Sequence, residues 1–295
     1  HWEMLFSGCD RGFAESLWGQ CSRELERLEN LLSRFRDGSD IDRINHLSKG
    51  ETILISEPCY ACLRQAFELH LATDGSFDIA VGGFMDLVRD ASGNPLQSDE
   101  ESWNRVKESR RRGRLLLSED REAITCVEEG LKLDLGGIGK GFALEWISAL
   151  ISEMELTDYC LSAGGSTILA RGSQPGGCPW DANLHGDSGS LALDLADECV
   201  SSSGVAVQGA HVIDHGARVD LGRCRRVWVK APHASLADGL STACLIMADE
   251  GILRTVRQLS APVSVWRETD EGIHPVVLPP HEMQQNGEHQ ADQNH

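Results

Sequence analysis

Along positions 13–32 apolar side chains return at helical intervals among charges, at Leu17, Cys21, Leu25, Leu28 and Leu32, which predicts a helix with one buried stripe. The pattern gives out near Phe35, ahead of the turn signal Asp37-Gly38-Ser39-Asp40. A second helix is predicted from about Pro58, a residue suited to a first helical turn, to Thr73, where Asp74-Gly75-Ser76 stops it. The polar stretch 90–114, with Gly93, Pro95 and an arginine-rich run, reads as a surface insertion. Short alternating runs at 115–117, 123–127 and 131–135 predict strands of a meander. Over 141–154 the residues Ala143, Trp146, Ile147, Leu150, Ile151 and Met154 form one apolar stripe of a helix. Strands are expected at 159–161, 166–170 and 191–195, a Gly/Pro/Ser loop at 172–177, and a last helix at 235–247.

Helices and strands come in blocks without regular βαβ alternation, so the fold class is α+β. Residues 1–280 are expected to form a single domain, with room for two subdomains. From His281 to the end the chain has almost nothing to bury, so 281–295 is expected to be a disordered tail.

Composition narrows the function classes. A formal charge of −19 argues against a nucleic-acid groove or an anionic membrane surface, so an anionic ligand has to be bound by local groups. No run approaches the roughly 20 apolar residues of a membrane span. Ten cysteines without regular spacing suggest reduced thiols and a cytoplasmic location. The alternative is a periplasmic or membrane-anchored protein whose export signal has been trimmed. Cys59 and Cys62 form a lone C-x-x-C at a helix start; without a second pair, they read as ordinary helix cysteines rather than a zinc or redox site.

The candidate chemistry starts at Leu131-Lys-Leu-Asp-Leu-Gly-Gly-Ile-Gly-Lys-Gly141, where an apolar run meets a glycine turn and then a helix. Backbone N–H groups at a helix start suit a phosphate, and Lys140 adds positive charge at the same mouth. Asp134 and Gly141 break the P-loop pattern and the glycine spacing is not that of a dinucleotide fold, so another phosphate-binding design is implied. In the last helix Asp238 and Thr242 are four apart on one face, flanked by apolar residues on both sides. A covered carboxylate and hydroxyl are hard oxygen ligands suited to Mg²⁺. His211, Asp214 and His215 fall in one short run and offer a general acid or base. Asp78 and Asn45 by themselves read as turn or cap residues.

Taken in order, seven segments of this chain resemble the ApbE family of flavin transferases: LENLLSRFRDGSDIDRIN (28–45), TDGSFDI (73–79), LDLGGIGKGFA (133–143), SAGGS (162–166), VSSSG (200–204), HVID (211–214) and ADGLSTA (237–243). The resemblance implies an ApbE-like, T-fold-related architecture of mixed sheets flanked by helices. It implies an Mg²⁺-dependent transfer of FMN from FAD to a Thr or Ser of a target flavoprotein, with release of AMP. On the same grounds Asp134 and Lys140 would contact FAD, Asn45, Ser76, Phe77 and Asp78 would belong to its site, and Phe35 would lie against the flavin where the family usually has Tyr. Gly137, Asp238 and Thr242 would hold the metal, and His211 would be the base. Two alternatives use the same site: an FAD pyrophosphatase releasing FMN and AMP, and a non-catalytic FAD-binding protein.

Overall fold

A computed structural model of the chain describes residues 1–90, 94, 96–204, 213–214, 217–218 and 224–278. Strand β1 (Trp2–Phe6) leads to α1 (Arg11–Leu32), which starts where the Asp10 carboxylate accepts the Phe13 N–H at 3.0 Å. Its buried residues are Leu17, Cys21, Leu25, Leu28 and Leu32, the stripe expected from the sequence. The helix stops at Leu32, short of Phe35, because Ser33 turns extended and its N–H closes on Glu29 O. Ser39 caps α2 (Asp40–Asn45), β2 (Thr52–Leu54) follows, and Ser56 caps α3 (Glu57–Ala72) with proline in its first turn.

Helix α4 (Gly82–Val88) precedes the region read from sequence as a surface insertion, and α5 (Glu100–Arg112) lies within it. That reading is corrected in part: α5 is a regular helix capped by Asp99, with Glu100 and Glu101 in its first turn and Arg110, Arg111 and Arg112 in its last. Those charges complement the helix dipole. No residue of α5 is buried; Trp103 stacks on Phe84 of α4 with ring centroids 5.2 Å apart. Strands β3 (Arg114–Leu117) and β4 (Ala123–Glu128) join β2 in an antiparallel sheet of order β2-β4-β3. The strand expected at 131–135 is an extended segment outside any sheet. It is tied instead by Gly82 N–H to Lys132 O (2.9 Å) and Asp134 N–H to Ile79 O (2.7 Å).

After α6 (Gly139–Glu153) come β5 (Tyr159–Ala163), β6 (Thr167–Arg171), the hairpin β7 (Trp180–His185) and β8 (Ser190–Leu195), and β9 (Cys199–Gly204). The short pair β10 (Ile213–Asp214) and β11 (Ala217–Arg218) precedes β12 (Arg226–Ala231). Helix α7 (Ala234–Ile246) is not the last, since α8 (Asp249–Gln258) follows it before β13 (Ser264–Thr269) and β14 (Gly272–Val277). The main sheet has seven antiparallel strands in the order β1-β5-β6-β9-β12-β13-β14.

Both faces of this sheet are covered, so alternation along its strands sorts residues between two cores. Val227, Val229 and Ala231 of β12 face the large core with α1, α3, α6 and α7. Trp228, between them, faces the smaller core under β7 and β8 with Trp180 and Trp266. Helices α6 and α7 meet backbone to backbone: a Cβ on Gly141 would overlap the Ala234 carbonyl. Gly139, two residues earlier, has room, its added Cβ lying 3.9 Å from Leu135 Cβ.

The two glycines therefore respond oppositely to alanine. Gly141→Ala is expected to lower stability by about 1–3 kcal/mol, the usual cost of overpacking, which exceeds the roughly 1 kcal/mol of helix propensity it gains. Gly139→Ala is expected to be neutral or slightly stabilising. Urea midpoints at unchanged slope measure both, and an equal response at the two positions contradicts the packing argument.

Candidate functional site

A cavity of about 680 Å³ opens between α1, the glycine turn and the β5–β6 turn. Trp18, Arg34, Phe35, Asp134, Gly136, Lys140 and Gly164 are among its lining residues. The pattern of α1 explains the apolar wall: the helix buries one stripe and turns Trp18 (42% exposed) toward the opening. Phe35 is 62% exposed at the rim, with the Arg34 guanidinium 4.4 Å over its ring. A cation held over one face leaves the other face of the aromatic for a planar ligand.

Asp134 is drawn inward. Its Oδ1 accepts the Gly136 N–H at 2.7 Å and so closes the glycine turn, while its Oδ2 lies 2.8 Å from Arg34 Nε. Asn45 does not line the cavity. Its amide group pairs twice with the backbone of Leu133, donating to O at 3.0 Å and accepting from N at 2.6 Å, which fixes the segment entering the turn. This explains why the residue stands there and makes it a support for the turn.

The 76–78 segment is divided. Phe77 is buried, with one ring carbon 3.3 Å from where a Cβ on Gly137 would be. Ser76 lines a separate cavity of about 550 Å³ with Thr73, Asp74 and Met247. Asp78 lines another of about 350 Å³ with His70, Arg110 and Arg111, and pairs closely with Arg110. None of the three lines the large cavity.

The residues singled out for a metal do come together. A Cβ on Gly137 would lie 3.2 Å from Thr242 Oγ1, so the turn backbone abuts that hydroxyl. Thr242 Oγ1 donates to the Asp238 carbonyl at 3.3 Å and lies 3.2 Å from Ser203 Oγ. Asp238 is 2% exposed. Its Oδ2 accepts the Gly141 N–H at 3.0 Å, and its Oδ1 accepts Ser201 Oγ at 3.1 Å and Thr167 Oγ1 at 3.4 Å. Lys140 Nζ lies 3.5 Å from Asp238 Oδ1 and reaches into the large cavity, linking that cavity to the buried carboxylate.

This oxygen set fits Mg²⁺. Among the described residues no three His, Cys, Asp or Glu side chains converge as a metal cage. Mg²⁺ is usually held by one or two carboxylates plus substrate phosphates and water, and one buried carboxylate beside a hydroxyl and turn backbone matches that habit. His211, with Asp214 and His215, lies where side chains are outside the described residues. Arg34, Ser201, Ser203 and Thr167 were not singled out from sequence, although each except Thr167 falls inside a block quoted for the resemblance.

The cysteines carry no comparable arrangement. Cys59 and Cys62 are fully buried, and burial pushes both thiols well above their ordinary range, so they stay protonated at neutral pH. The Cys199 thiol is pushed up to about 12 by the same cause.

Comparison with known proteins identifies the family and the fold. The sequence model described as the ApbE family matches residues 7–265. The FAD:protein FMN transferase of Klebsiella pneumoniae (strain 342) is 22% identical over 303 residues, covering 94% of this chain and 84% of the relative. That of Vibrio cholerae is 24% identical over 294 residues, covering 89% and 83%. The solved structure of flavin transferase ApbE from Vibrio cholerae aligns with a TM-score of 0.80 at 20% identity, over 93% of this chain and 92% of that one. The apo flavinyl transferase ApbE of Pseudomonas stutzeri gives 0.78 at 20%, over 93% and 89%. These likenesses establish the α+β ApbE fold.

Two measurements test the geometry without any assay of activity. Asn45→Ala is expected to cost about 1–3 kcal/mol, because it strands both polar groups of Leu133; an unchanged urea midpoint contradicts the bracing role. With a thiol reagent at pH 7.5 the exposed Cys178 should react in the native protein, while Cys59 and Cys62 react only after denaturation. Rapid native labelling of the pair contradicts their burial.

Proposed function

This chain belongs to the ApbE family, and from that premise we propose that it is an Mg²⁺-dependent FAD:protein FMN transferase acting on a Thr or Ser of a target flavoprotein. The observation that carries the reading is the meeting of Gly137, Asp238 and Thr242 beside Lys140 at the edge of the large cavity. Relatives carrying the name FAD:protein FMN transferase support it.

In this reading FAD lies in the cavity with its ring system against Phe35 and its diphosphate toward the glycine turn. Lys140 supplies positive charge to that diphosphate, and leaves Asp238 free to serve a divalent ion. Mg²⁺, held by Asp238, Thr242 and the Gly137 carbonyl, would offset the negative charge that grows on the diphosphate as its bridging bond breaks. The acceptor hydroxyl attacks the phosphorus of the FMN half. The new O–P bond forms as the P–O bond to AMP breaks, and AMP leaves with the bridging oxygen. The hydroxyl proton passes to a base, for which His211 is the candidate. Trp18, Leu25, Leu28 and Ala143 give the cavity apolar walls for the flavin to pack against.

The test is incubation with FAD and Mg²⁺, with and without an acceptor peptide, read by mass spectrometry and by release of AMP. Modified peptide and acceptor-dependent AMP are expected, lost on chelation of the metal and lowered roughly 100-fold or more in Asp238→Asn, the size of loss seen when one preorganised electrostatic group is removed. Free FMN formed at full rate without acceptor indicates a pyrophosphatase. FAD retained unchanged for hours indicates a binding protein, and either result overturns the transferase reading.

A further inference from the structure

Arg34 is the most heavily engaged cation of the large cavity, and the transferase reading gives it no task. Its side chain is 10% exposed and joins three separate pieces of chain. Nη1 lies 2.8 Å from Asp86 Oδ1 and donates to the Gly82 carbonyl at 3.3 Å, which anchors it to α4. Nε lies 2.8 Å from Asp134 Oδ2 at the glycine turn. The guanidinium plane covers the Phe35 ring at 4.4 Å. Lys132 Nζ, 3.0 Å from the second oxygen of Asp86, completes a set of two carboxylates and two cations.

The charges matter because of where Asp134 sits. A carboxylate, 16% exposed, closes the very turn that is meant to receive an anion. Left alone it repels that anion; paired with Arg34 it keeps its hydrogen bond to Gly136 while its charge is cancelled. Asp86 is served by Lys132 as well, so the charge left over when Arg34 is removed falls chiefly on Asp134.

We propose that Arg34 is a positioning residue for the dinucleotide: it neutralises Asp134 so that the glycine turn can accept a diphosphate, and it holds the Phe35 ring on which the flavin rests. This rests on the proposed FAD site. Arg34 need not touch the ligand, since both of its effects pass through neighbours.

Binding of FAD, followed by quenching of flavin fluorescence, separates the possibilities. Wild-type protein that fails to bind FAD removes the underlying site itself. Given binding, Arg34→Gln is expected to raise the dissociation constant about tenfold, with the KM for FAD rising while kcat is little changed. The defect should shrink as salt is raised, because screening weakens repulsion. Asp134→Asn keeps an oxygen for the Gly136 N–H but removes the charge, so in that background Arg34 has no charge left to neutralise, whatever the single variant loses through its own contact with FAD. The double variant should therefore bind FAD within about threefold of Asp134→Asn, the two losses failing to add. An Arg34→Gln protein that binds like wild type overturns the proposal. So does a double variant in which the two single losses add, because Arg34 then does not act through Asp134.

Discussion

The hydrogen bond from Gly141 N–H to the Asp238 carboxylate joins the start of one helix to the middle of another, and the site is assembled around it. Helix α6 opens at Ile138, which has no side-chain oxygen to offer the free N–H groups of the first turn. Asp238, 97 residues away, takes that part from across the interface. The carboxylate pays for its burial through this bond, two hydroxyls and Lys140, since an unpaired buried carboxylate costs several kcal/mol. Glycine at 141 is what lets the two helices come close enough, and the same approach brings Thr242 against Gly137. One contact therefore serves packing and chemistry together.

The glycine turn is less of a bare phosphate cradle than its composition suggests. Gly136 donates its N–H to Asp134, Gly137 makes room for Thr242, and Gly141 makes room for Ala234. These three glycines each answer a specific neighbour, whereas Gly139 has room. The turn is then held from outside by Asn45 on Leu133 and by Arg34 on Asp134. A loop braced on both sides reaches its ligand already formed, so little ordering cost falls on binding.

Much of this was legible in sequence, and the failures have several physical causes. Helices α1, α3, α6 and α7 bury faces that recur at helical spacing, so their apolar residues announced them. Helix α5 buries none of its residues and is set by Asp99 and its terminal charges, which left no stripe to read. Strands β9, β12 and β13 are covered on both faces, so they lack the polar alternation that marks a half-exposed strand; in β9 the buried residues include Ser201 and Ser203, satisfied by Asp238, Thr167, Ser241 and Thr242. Asp238 and Thr242 stood out because a polar pair sat between apolar flanks on one helix. The pair of hydrogen bonds between Asn45 and Leu133 spans 88 residues and has no local signature. Arg34 was likewise one charge among many until its partners were placed. Ser76 and Asp78 were assigned to the flavin site by resemblance alone, and the chain directs them to other cavities.

A chain of charge −19 that takes an anionic dinucleotide has to solve an electrostatic problem at short range. At physiological salt the field of distant surface carboxylates dies away over about 8 Å, so their sum slows encounter more than it weakens the bound state. What decides binding is the handful of groups at the turn. Asp134 and Asp86 are matched by Arg34 and Lys132, and Asp238 is matched by Lys140. The balance is near zero, and in the proposed reading a divalent ion taken up by Asp238 would release Lys140 to act on the ligand. On that reading the ion would make the mouth positive and the diphosphate would offset it, so each would favour holding the other.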